Sequence, residues 1–468
     1  MKKVLLAVAS MLLLTTGMAT AEDASSLQIS GDYRFTYEYL KGNVHDYTQL
    51  VPSSLAGGAP AAMPVQGYSV KNTALMTNRF GLNLKANPLE DLNVKARMVM
   101  NKVWGHETSS PVDGSFFADR AFGPNDGTMG HIPQDNTLRV DYAYATVSNL
   151  FNAPVWFSVG RRPSTGGTPS NYRQNEEKTG TGGIPSIMVN YAFDGYTIGF
   201  APDIDALPGA YAKFCAGKGF DSGYRGGPFD SGLKDTDFYG LNVVPFDTDT
   251  LHIELQYQIG KHIFDRPSDN GVENNLGDMS WYGGVATTKL GNLNLFVSGA
   301  VSQTDPNGAI ASYDLDGDGI TDAQGGMLFN PGEQAEKKSG VAVYIGARYD
   351  IATTKTKIGL EYNQGSKNWI GMVPAEDDTW TGKLGTRGKV YEVYIIQEMD
   401  RKQITKNGSA FVKIGYQRYD FEYTGSNFWI GSPAKISGLQ ATANLNQANM
   451  FAAVEKATDI YATFNVRF

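Results

Sequence analysis

The sequence predicts an all-β fold, a transmembrane antiparallel up-and-down β-barrel of about sixteen strands, with about eighteen as the alternative. Three observations support this prediction. Apolar and polar residues alternate with a period of two in many short segments. The connections between these segments are alternately short and long. After the N-terminal segment no stretch approaches a membrane helix, so a membrane-spanning form of this chain has to be a closed barrel.

The N-terminal segment has the features of a secretory signal peptide. Two lysines precede an apolar run at 4–14, and a small-residue cleavage site ends at Ala21. The run is too short to span a bilayer, which needs about 20 residues. We therefore predict a signal peptide at 1–21 and one outer-membrane β-barrel domain at 22–468.

The alternation is clearest at the two ends of the mature chain. At 31–40, four aromatic residues share one face and four polar residues share the other. At 459–468, the pattern continues to the terminal Phe468. In a closed barrel the last strand pairs with the first, and no sticky edge remains.

Further segments of the same kind lie between these two. Strands are expected near 31–40, 79–86, 92–100, 138–148, 154–162, 184–193, 195–202, 236–246, 250–263, 279–290, 292–303, 339–350, 355–366, 388–399, 409–422 and 458–468. Long connections include 163–183, 203–235 and 304–338, whereas the connection at 194–195 is a tight turn. Short periplasmic turns and long external loops are typical of outer-membrane barrels.

Alternation also assigns charged strand residues to the lumen, because Lys or Arg on the lipid face would cost about 2–4 kcal/mol at mid-depth. The basic residues on the predicted lumen faces are Arg34, Arg79, Lys85, Lys95, Arg97, Arg348, Lys357, Lys413 and Arg467. The acidic residues are Asp32, Glu38, Glu254, Glu361, Glu392 and Asp459. Since loop charges are screened by salt, this basic excess predicts a mild preference for anions despite the formal net charge of −8.

Gly160, Arg161 and Arg162 end a predicted strand and open the third external loop. This position resembles the strand end of general porins from which a loop folds inward and narrows the pore. The alternative is that the two arginines bind phosphates of the outer leaflet. The predicted pore-lining and constriction residues are Arg161, Arg162, Arg34, Arg79, Lys95, Arg97, Glu254 and Arg348.

The segment 314–322, DLDGDGITD, has the spacing of a calcium-binding loop. The predicted ligands are Asp314, Asp316, Asp318, the carbonyl of Ile320, and Asp322. The twelfth position is Gly325, so the bidentate Glu of an EF-hand is missing and a weak Ca²⁺ site in external loop 304–338 is expected. The alternative is a solvated acidic loop without a metal ion.

Other chemistry is poorly supported by the sequence. There is no H-E-x-x-H, G-x-S-x-G or G-x-x-x-x-G-K-[ST] motif, so no enzyme is predicted. Cys215 is the only cysteine, which excludes an intrachain disulfide and a covalently attached haem. We expect it to be a free thiol in a loop or a packed site. The acidic balance argues against a nucleic-acid partner.

Several stretches of the chain resemble an uncharacterised, domain-of-unknown-function family of porin-like barrels. They are KVWGHET at 102–108, PQDNTLRVDYAY at 133–144, WFSVGRRPSTGG at 156–167 and DIDALPGAYAKFC at 203–215. The terminal Phe468 resembles the assembly signal that the barrel-assembly machinery reads. The resemblance implies a barrel in the bacterial outer membrane, in contact with lipid and lipopolysaccharide, and supplies no substrate.

The sequence thus predicts a porin with a water-filled channel for small hydrophilic solutes, with a homotrimer as one assembly. The alternative is a barrel that sheathes a separate multihaem cytochrome in an electron conduit. An enzyme or an adhesin is the third alternative for the function.

Overall fold

The computed structural model describes residues 27–105, 128, 130–224, 226–230, 232–263, 274–374, 377–405 and 408–468. The predicted signal peptide at 1–21 lies outside these residues. The fold is a closed antiparallel barrel of 16 strands. Its strands are β1 (Leu27–Val44), β2 (Tyr68–Leu89), β3 (Leu92–Val103), β4 (Arg139–Val147), β5 (Val155–Arg162), β6 (Phe193–Phe200), β7 (Tyr211–Phe220), β8 (Thr236–Asp247), β9 (Leu251–Lys261), β10 (Gly277–Leu290), β11 (Leu293–Pro306), β12 (Ser339–Ile351), β13 (Thr356–Gly365), β14 (Gly388–Glu398), β15 (Ser409–Phe421) and β16 (Val454–Arg467). The predicted fold class is confirmed.

The first and last strands close the barrel, as their matching alternation predicts. Aromatic and apolar residues of one strand meet those of the other, with Phe35 opposite Phe464. The terminal Phe468 exchanges two backbone hydrogen bonds with Gly31, at 2.8 and 3.0 Å. Its ring also stacks on Phe80 at 6.5 Å between centroids. The chain terminus is therefore part of the seam, although its role as an assembly signal stays a prediction.

The strand faces divide into an apolar outer surface and a polar lumen. On β9, Leu255 and Tyr257 are exposed on the outside, whereas Glu254 and Gln256 are buried inside. The same division holds on β13, where Leu360 is exposed and Glu361 is buried. An apolar outer surface on a closed barrel is what a lipid bilayer requires. Among the described residues, no helix is long and apolar enough to cross a membrane.

One predicted strand is wrong and one strand was missed. Residues 184–192 are not in the barrel wall but inside it, since Ile187, Met188 and Val189 are fully buried. Their apolar pattern reflects packing against another loop rather than against lipid. The missed strand is β7, whose apolar face is weak because Phe214 shares it with Ala212, Ala216 and Lys218. The two errors cancel in the strand count.

Because residues 184–192 do not form a strand, the connections around them also differ from those predicted. The predicted tight turn at 194–195 lies within β6, and the third external loop is longer than predicted, covering 163–192. The turn at the periplasmic end is 201–210 instead. Cys215 lies on β7 in a packed site, with the Thr197 hydroxyl 3.2 Å from its sulfur.

Two loops that start at the external end fold into the barrel. We call residues 163–192 the first inward loop and residues 366–387 the second inward loop. They pair through their backbones, because Met372 donates to the carbonyl of Met188 at 3.1 Å. The Trp281 indole on β10 donates to the carbonyl of Ile370 at 2.7 Å and holds the second inward loop to the wall. The centre of the barrel is therefore a packed apolar core rather than open water.

The remaining external loops contain short elements of their own. A small sheet joins Tyr47–Val51 to Ala61–Val65 and to Ala448–Asn449, and a hairpin pairs Ala311–Tyr313 with Ala323–Gly325. Among the described residues, the α-helices are Ser53–Ala56 in the first external loop and Ser170–Gln174 in the first inward loop.

Candidate functional site in the barrel lumen

The first inward loop reaches the periplasmic ends of the strands. Three basic residues of the wall, all predicted to face the lumen, donate hydrogen bonds to it. Arg348 donates to the Tyr172 carbonyl at 2.8 Å, and Lys357 to the Asn175 side chain at 2.6 Å. Arg467 donates to the Asn175 carbonyl at 2.7 Å. Each of the three lies close to the periplasmic end of its strand, so this part of the loop lies across the exit of the barrel.

A buried ion network ties both inward loops to the wall. The Lys383 ammonium contacts the carboxylates of Glu361 and Glu392, the latter at 2.5 Å. Arg173 contacts Asp378 at 2.7 Å and Glu392 at 3.1 Å. All five side chains are at most 4% exposed, so these charges have been taken out of water and depend on one another.

Two loop residues of this network, Asp378 and Lys383, are held in their charged forms. Burial alone would raise the pKa of Asp378, but the charges of Arg173 and Lys383 lower it below its ordinary value. Burial alone would lower the pKa of Lys383, but Glu361 and Glu392 raise it. Asp378 and Lys383 therefore carry opposite charges at neutral pH.

A second cluster lies on β1 and β2 and receives Asp377 from the second inward loop. We call Arg34, Arg79 and His131 the basic cradle. Asp377 lies 2.6 Å from Arg34, 3.1 Å from Arg79 and 3.6 Å from His131. Burial raises the pKa of Asp377, but the charges of Arg34 and Arg79 outweigh burial and hold it well below its usual range.

His131 is charged at neutral pH within this cluster. Burial lowers its pKa, but the Asp141 carboxylate at 3.2 Å and Asp377 raise it to about 9. Next to the cradle, Arg97 contacts Asp32 at 2.6 Å and Asp141 at 3.3 Å. The structure thus brings together Arg34, Arg79 and Arg97, and pairs each with a carboxylate.

A further group of basic residues lies on β2, β3 and β5. Lys85 and Lys95 are directly opposite each other in the β2–β3 register. The charge of Arg162 acts on Lys95, and its guanidinium lies 5.3 Å from the centre of the Tyr144 ring. No carboxylate lies within ion-pair distance of these three bases in the part of the chain that the structure describes. This basic stripe, Lys85, Lys95 and Arg162, is the clearest unneutralised charge on the lumen wall.

Arg161 and Arg162, both predicted to line the pore, lie on opposite faces of β5. Neighbours in a strand point to opposite faces. Arg162 contacts Tyr144 in the lumen, whereas Arg161 shares its face with Val159, which is 47% exposed on the outside. Arg161 donates to the Asp141 carbonyl at 2.9 Å and lies 3.9 Å from Asp194.

Glu254 lies apart from both clusters. It accepts from the Asn242 amide at 2.8 Å and contacts His252 at 3.4 Å on the lumen side of β8 and β9.

The sequence analysis missed Asp141 on β4, and the other residues that it missed come from loops. They are His131, Arg173, Asp377, Asp378 and Lys383. No periodicity assigns a loop residue to a face, so alternation could not find them. The available signal was the apolar run around Trp369 and Ile370, which would be unfavourable in a water-exposed loop.

The predicted calcium loop keeps part of its expected arrangement. Carboxylate oxygens of Asp314, Asp316 and Asp322 lie within 4.8 Å of one another. Asp318 instead accepts from the Ser53 hydroxyl at 2.6 Å. The Ser53 amide also donates to Asp322 at 2.7 Å, so the acidic loop docks on the first external loop.

A comparison with family models gives one match, covering residues 69–468, to the family described as protein of unknown function DUF3373. The chain belongs to this family. A comparison with curated proteins gives no match. Membership of a domain-of-unknown-function family, as inferred from the sequence, is thereby confirmed.

Solved structures similar to this DUF3373 chain are outer-membrane proteins. OmpT of Vibrio cholerae is 12% identical, with a TM-score of 0.42 over 96% of this chain and 99% of that chain. OmpF of Salmonella typhi, in complex with daunomycin, is 10% identical, with the same TM-score over 96% and 99%. An anion-selective porin from Comamonas acidovorans is 12% identical, with a TM-score of 0.42 over 95% and 99%.

The DUF3373 chain has the architecture of a barrel that spans the bacterial outer membrane. A closed barrel with an apolar outer surface and alternating short turns and long loops is the form in which strands span that membrane.

Proposed function

We propose that this DUF3373 protein is an outer-membrane porin, a passive channel rather than an enzyme, for small hydrophilic solutes, narrowed by its own two inward loops. The observation that carries the proposal is the lumen wall, where charged and amide side chains replace the apolar residues of the outer face. A cavity of about 90 Å³ lies along β1, β2 and β16, and one of about 50 Å³ lies beside β7 to β9. Since a water molecule takes about 30 Å³, these cavities hold only a few waters. Passage therefore depends on movement of the inward loops.

The basic stripe supports a mild anion preference for this channel. The arginines of β1 to β3 are paired with Asp377, Asp32 and Asp141, so their fields are largely cancelled. Lys85, Lys95 and Arg162 carry positive charge on a low-dielectric wall, where it attracts anions more strongly than loop charges repel them.

Bilayer recordings of the purified protein test both parts of the proposal. In a KCl gradient we expect discrete conductance steps and a reversal potential that favours chloride. Arg162→Ala should move the reversal potential toward potassium, because it removes a lumen charge. Arg161→Ala is the matched control and should leave it unchanged. Absence of channels would refute the porin, and equal shifts in both variants would refute the role of the stripe.

The sheath alternative gains no support from the lumen. A cytochrome inside the barrel would need the space that Trp369, Met188 and the ion network of Lys383 occupy. A homotrimer and contacts with lipopolysaccharide and the barrel-assembly machinery belong to the proposal of a porin, and cross-linking in intact cells would detect them.

We also propose that the acidic loop of 314–322 binds Ca²⁺ with a dissociation constant of about 10⁻⁴–10⁻³ M, as sites in extracellular modules do. Three carboxylates that lie together would be joined by the ion, which would fix this loop against the first external loop. Calorimetry should show Ca²⁺ binding to the wild type and none to Asp316→Ala. Asp305→Ala, in the adjacent strand end and outside the cluster, should bind as the wild type does. Equal heats in the wild type and Asp316→Ala would disprove the site.

A further inference from the structure

Asp377 belongs to an inward loop and not to the wall, unlike the acidic partners of the neighbouring Arg97. Arg97 is paired with Asp32 of β1 and Asp141 of β4, two strand residues. Arg34 has Asp377 as its one carboxylate within ion-pair distance among the described residues. A loop residue therefore supplies the negative charge that the basic cradle needs.

The cradle holds this carboxylate as a binding site holds a ligand. Arg34 and Arg79 approach its oxygens at 2.6 and 3.1 Å, and His131 lies at 3.6 Å, from two strands and a separate loop. Convergent arginines with charge-assisted hydrogen bonds are the usual means of recognising a carboxylate. The Arg79 Nε is buried and makes no hydrogen bond within the described chain, so one donor is left over.

The charge balance shows what would follow if Asp377 left. Among the described residues, Arg34, Arg79, Arg97 and the protonated His131 would then have only Asp32 and Asp141 within ion-pair distance. The arginine side chains are at most 19% exposed, so their charges are poorly solvated. Partly buried cations without a partner are costly, and the vacated site would attract an anion. The cavity of about 90 Å³ that borders these residues gives a small solute room to approach.

We propose that the basic cradle is a binding site for small carboxylate solutes, and that Asp377 is an internal stand-in for them. A solute carboxylate competes with Asp377 for Arg34 and Arg79. Because Asp378 is the next residue and is tied to Arg173, release of Asp377 loosens the link between the two inward loops. Solute binding and opening of the lumen are then coupled, since both are favoured by the same displacement. The coupling to transport rests on the proposed function, whereas the binding site does not.

Calorimetry with sodium acetate tests the site without any channel recording. The variant Asp377→Ala removes the stand-in carboxylate and leaves a space that acetate can fill. We expect it to bind acetate about tenfold or more tightly than the wild type, which corresponds to about 1.4 kcal/mol. The double variant Asp377→Ala with Arg34→Ala should lose this binding. Sodium phosphate at the same ionic strength distinguishes a carboxylate site from a general anion site.

Asp350→Ala is the matched control. It also removes a carboxylate from a lumen arginine, since Asp350 lies 2.7 Å from Arg348. Arg348 keeps the Tyr172 carbonyl and ring as partners, so no acetate site should appear. Acetate binding that is equal in Asp377→Ala and Asp350→Ala, or absent from folded Asp377→Ala, would overturn the proposal. Tighter binding of phosphate than of acetate would overturn the assignment to carboxylates.

Folding is checked by heat modifiability, and Asp377→Asn provides a variant that keeps the side-chain volume. Failure of both variants to form the barrel would make Asp377 a structural ion-pair partner and would also overturn the proposal. If acetate binds Asp377→Ala but does not alter the conductance of the wild-type protein, the binding site stands and its coupling to opening of the lumen fails, whereas absence of channels in KCl would refute the porin itself.

Discussion

Replacement of residues 169–183 by a linker of a few glycines and serines is expected to increase single-channel conductance severalfold. These residues include the helix Ser170–Gln174 and Asn175, which Arg348, Lys357 and Arg467 hold across the periplasmic exit. Removing them opens the exit, whereas the strands of the wall are untouched. Conductance of the purified variant in planar bilayers is the measurement.

The geometry of the loop makes this replacement practicable. Gly167 lies against the carbonyl of Ile184, and the Ser186 amide donates to the Thr168 carbonyl at 3.0 Å. The two ends of the removed segment are therefore neighbours, and a short linker can join them. The apolar residues at 187–189 stay in place against the second inward loop.

A replacement in the external loop 221–235 serves as the control. Tyr224 and Phe229 in that loop are 80% and 77% exposed, so the loop does not fill the lumen. Its shortening should leave conductance unchanged. If the variant of the first inward loop is heat-modifiable but conducts as the wild type does, then this loop is not the obstruction.

The barrel wall could be predicted from the sequence because lipid and water impose opposite demands on alternate residues. On β9, polar residues facing the lumen alternate with apolar residues facing outward from His252 to Gln258, and the predicted faces are those observed. The same rule fails at 184–193, because the apolar partner there is another loop and not lipid. It fails again at β7, where Ala212, Ala216 and Lys218 share the outer face with Phe214 and weaken its apolar pattern.

Only the wall residues of the candidate site could be predicted from the sequence. The wall partners Arg34, Arg79 and Arg97 follow from strand periodicity. Their counterpart Asp377 comes from a loop whose path is set by packing between distant segments, and such packing leaves no local pattern in the sequence. The pairing of Met188 with Met372, for example, joins residues in two separate loops. The ion pairs between the wall and the inward loops could therefore be identified only from the structure.

Lys383→Met is expected to lower the free energy of unfolding by about 3–5 kcal/mol, the cost of breaking a buried ion pair by removing one partner. Lys383 is 1% exposed, and the carboxylates of Glu361 and Glu392 would be left buried with less compensation. Urea unfolding of the detergent-bound protein at pH 7 measures this loss. The double variant Lys383→Met with Glu361→Gln should recover part of it, because one of the two uncompensated charges is then removed.

The pH dependence of this contribution has a definite sign. The folded-state pKa of Lys383 is raised above its ordinary value of 10.5, despite burial, by Glu361 and Glu392. The contribution is therefore complete below that value and is lost as pH rises through the folded-state pKa. Lys355→Met is the control, since Lys355 and its partner Asp400 are exposed and should contribute nothing measurable. A wild-type stability for Lys383→Met at pH 7 would mean that the network does not hold the inward loops. The obstruction would then depend on the apolar contacts of Trp369 and Met188 alone.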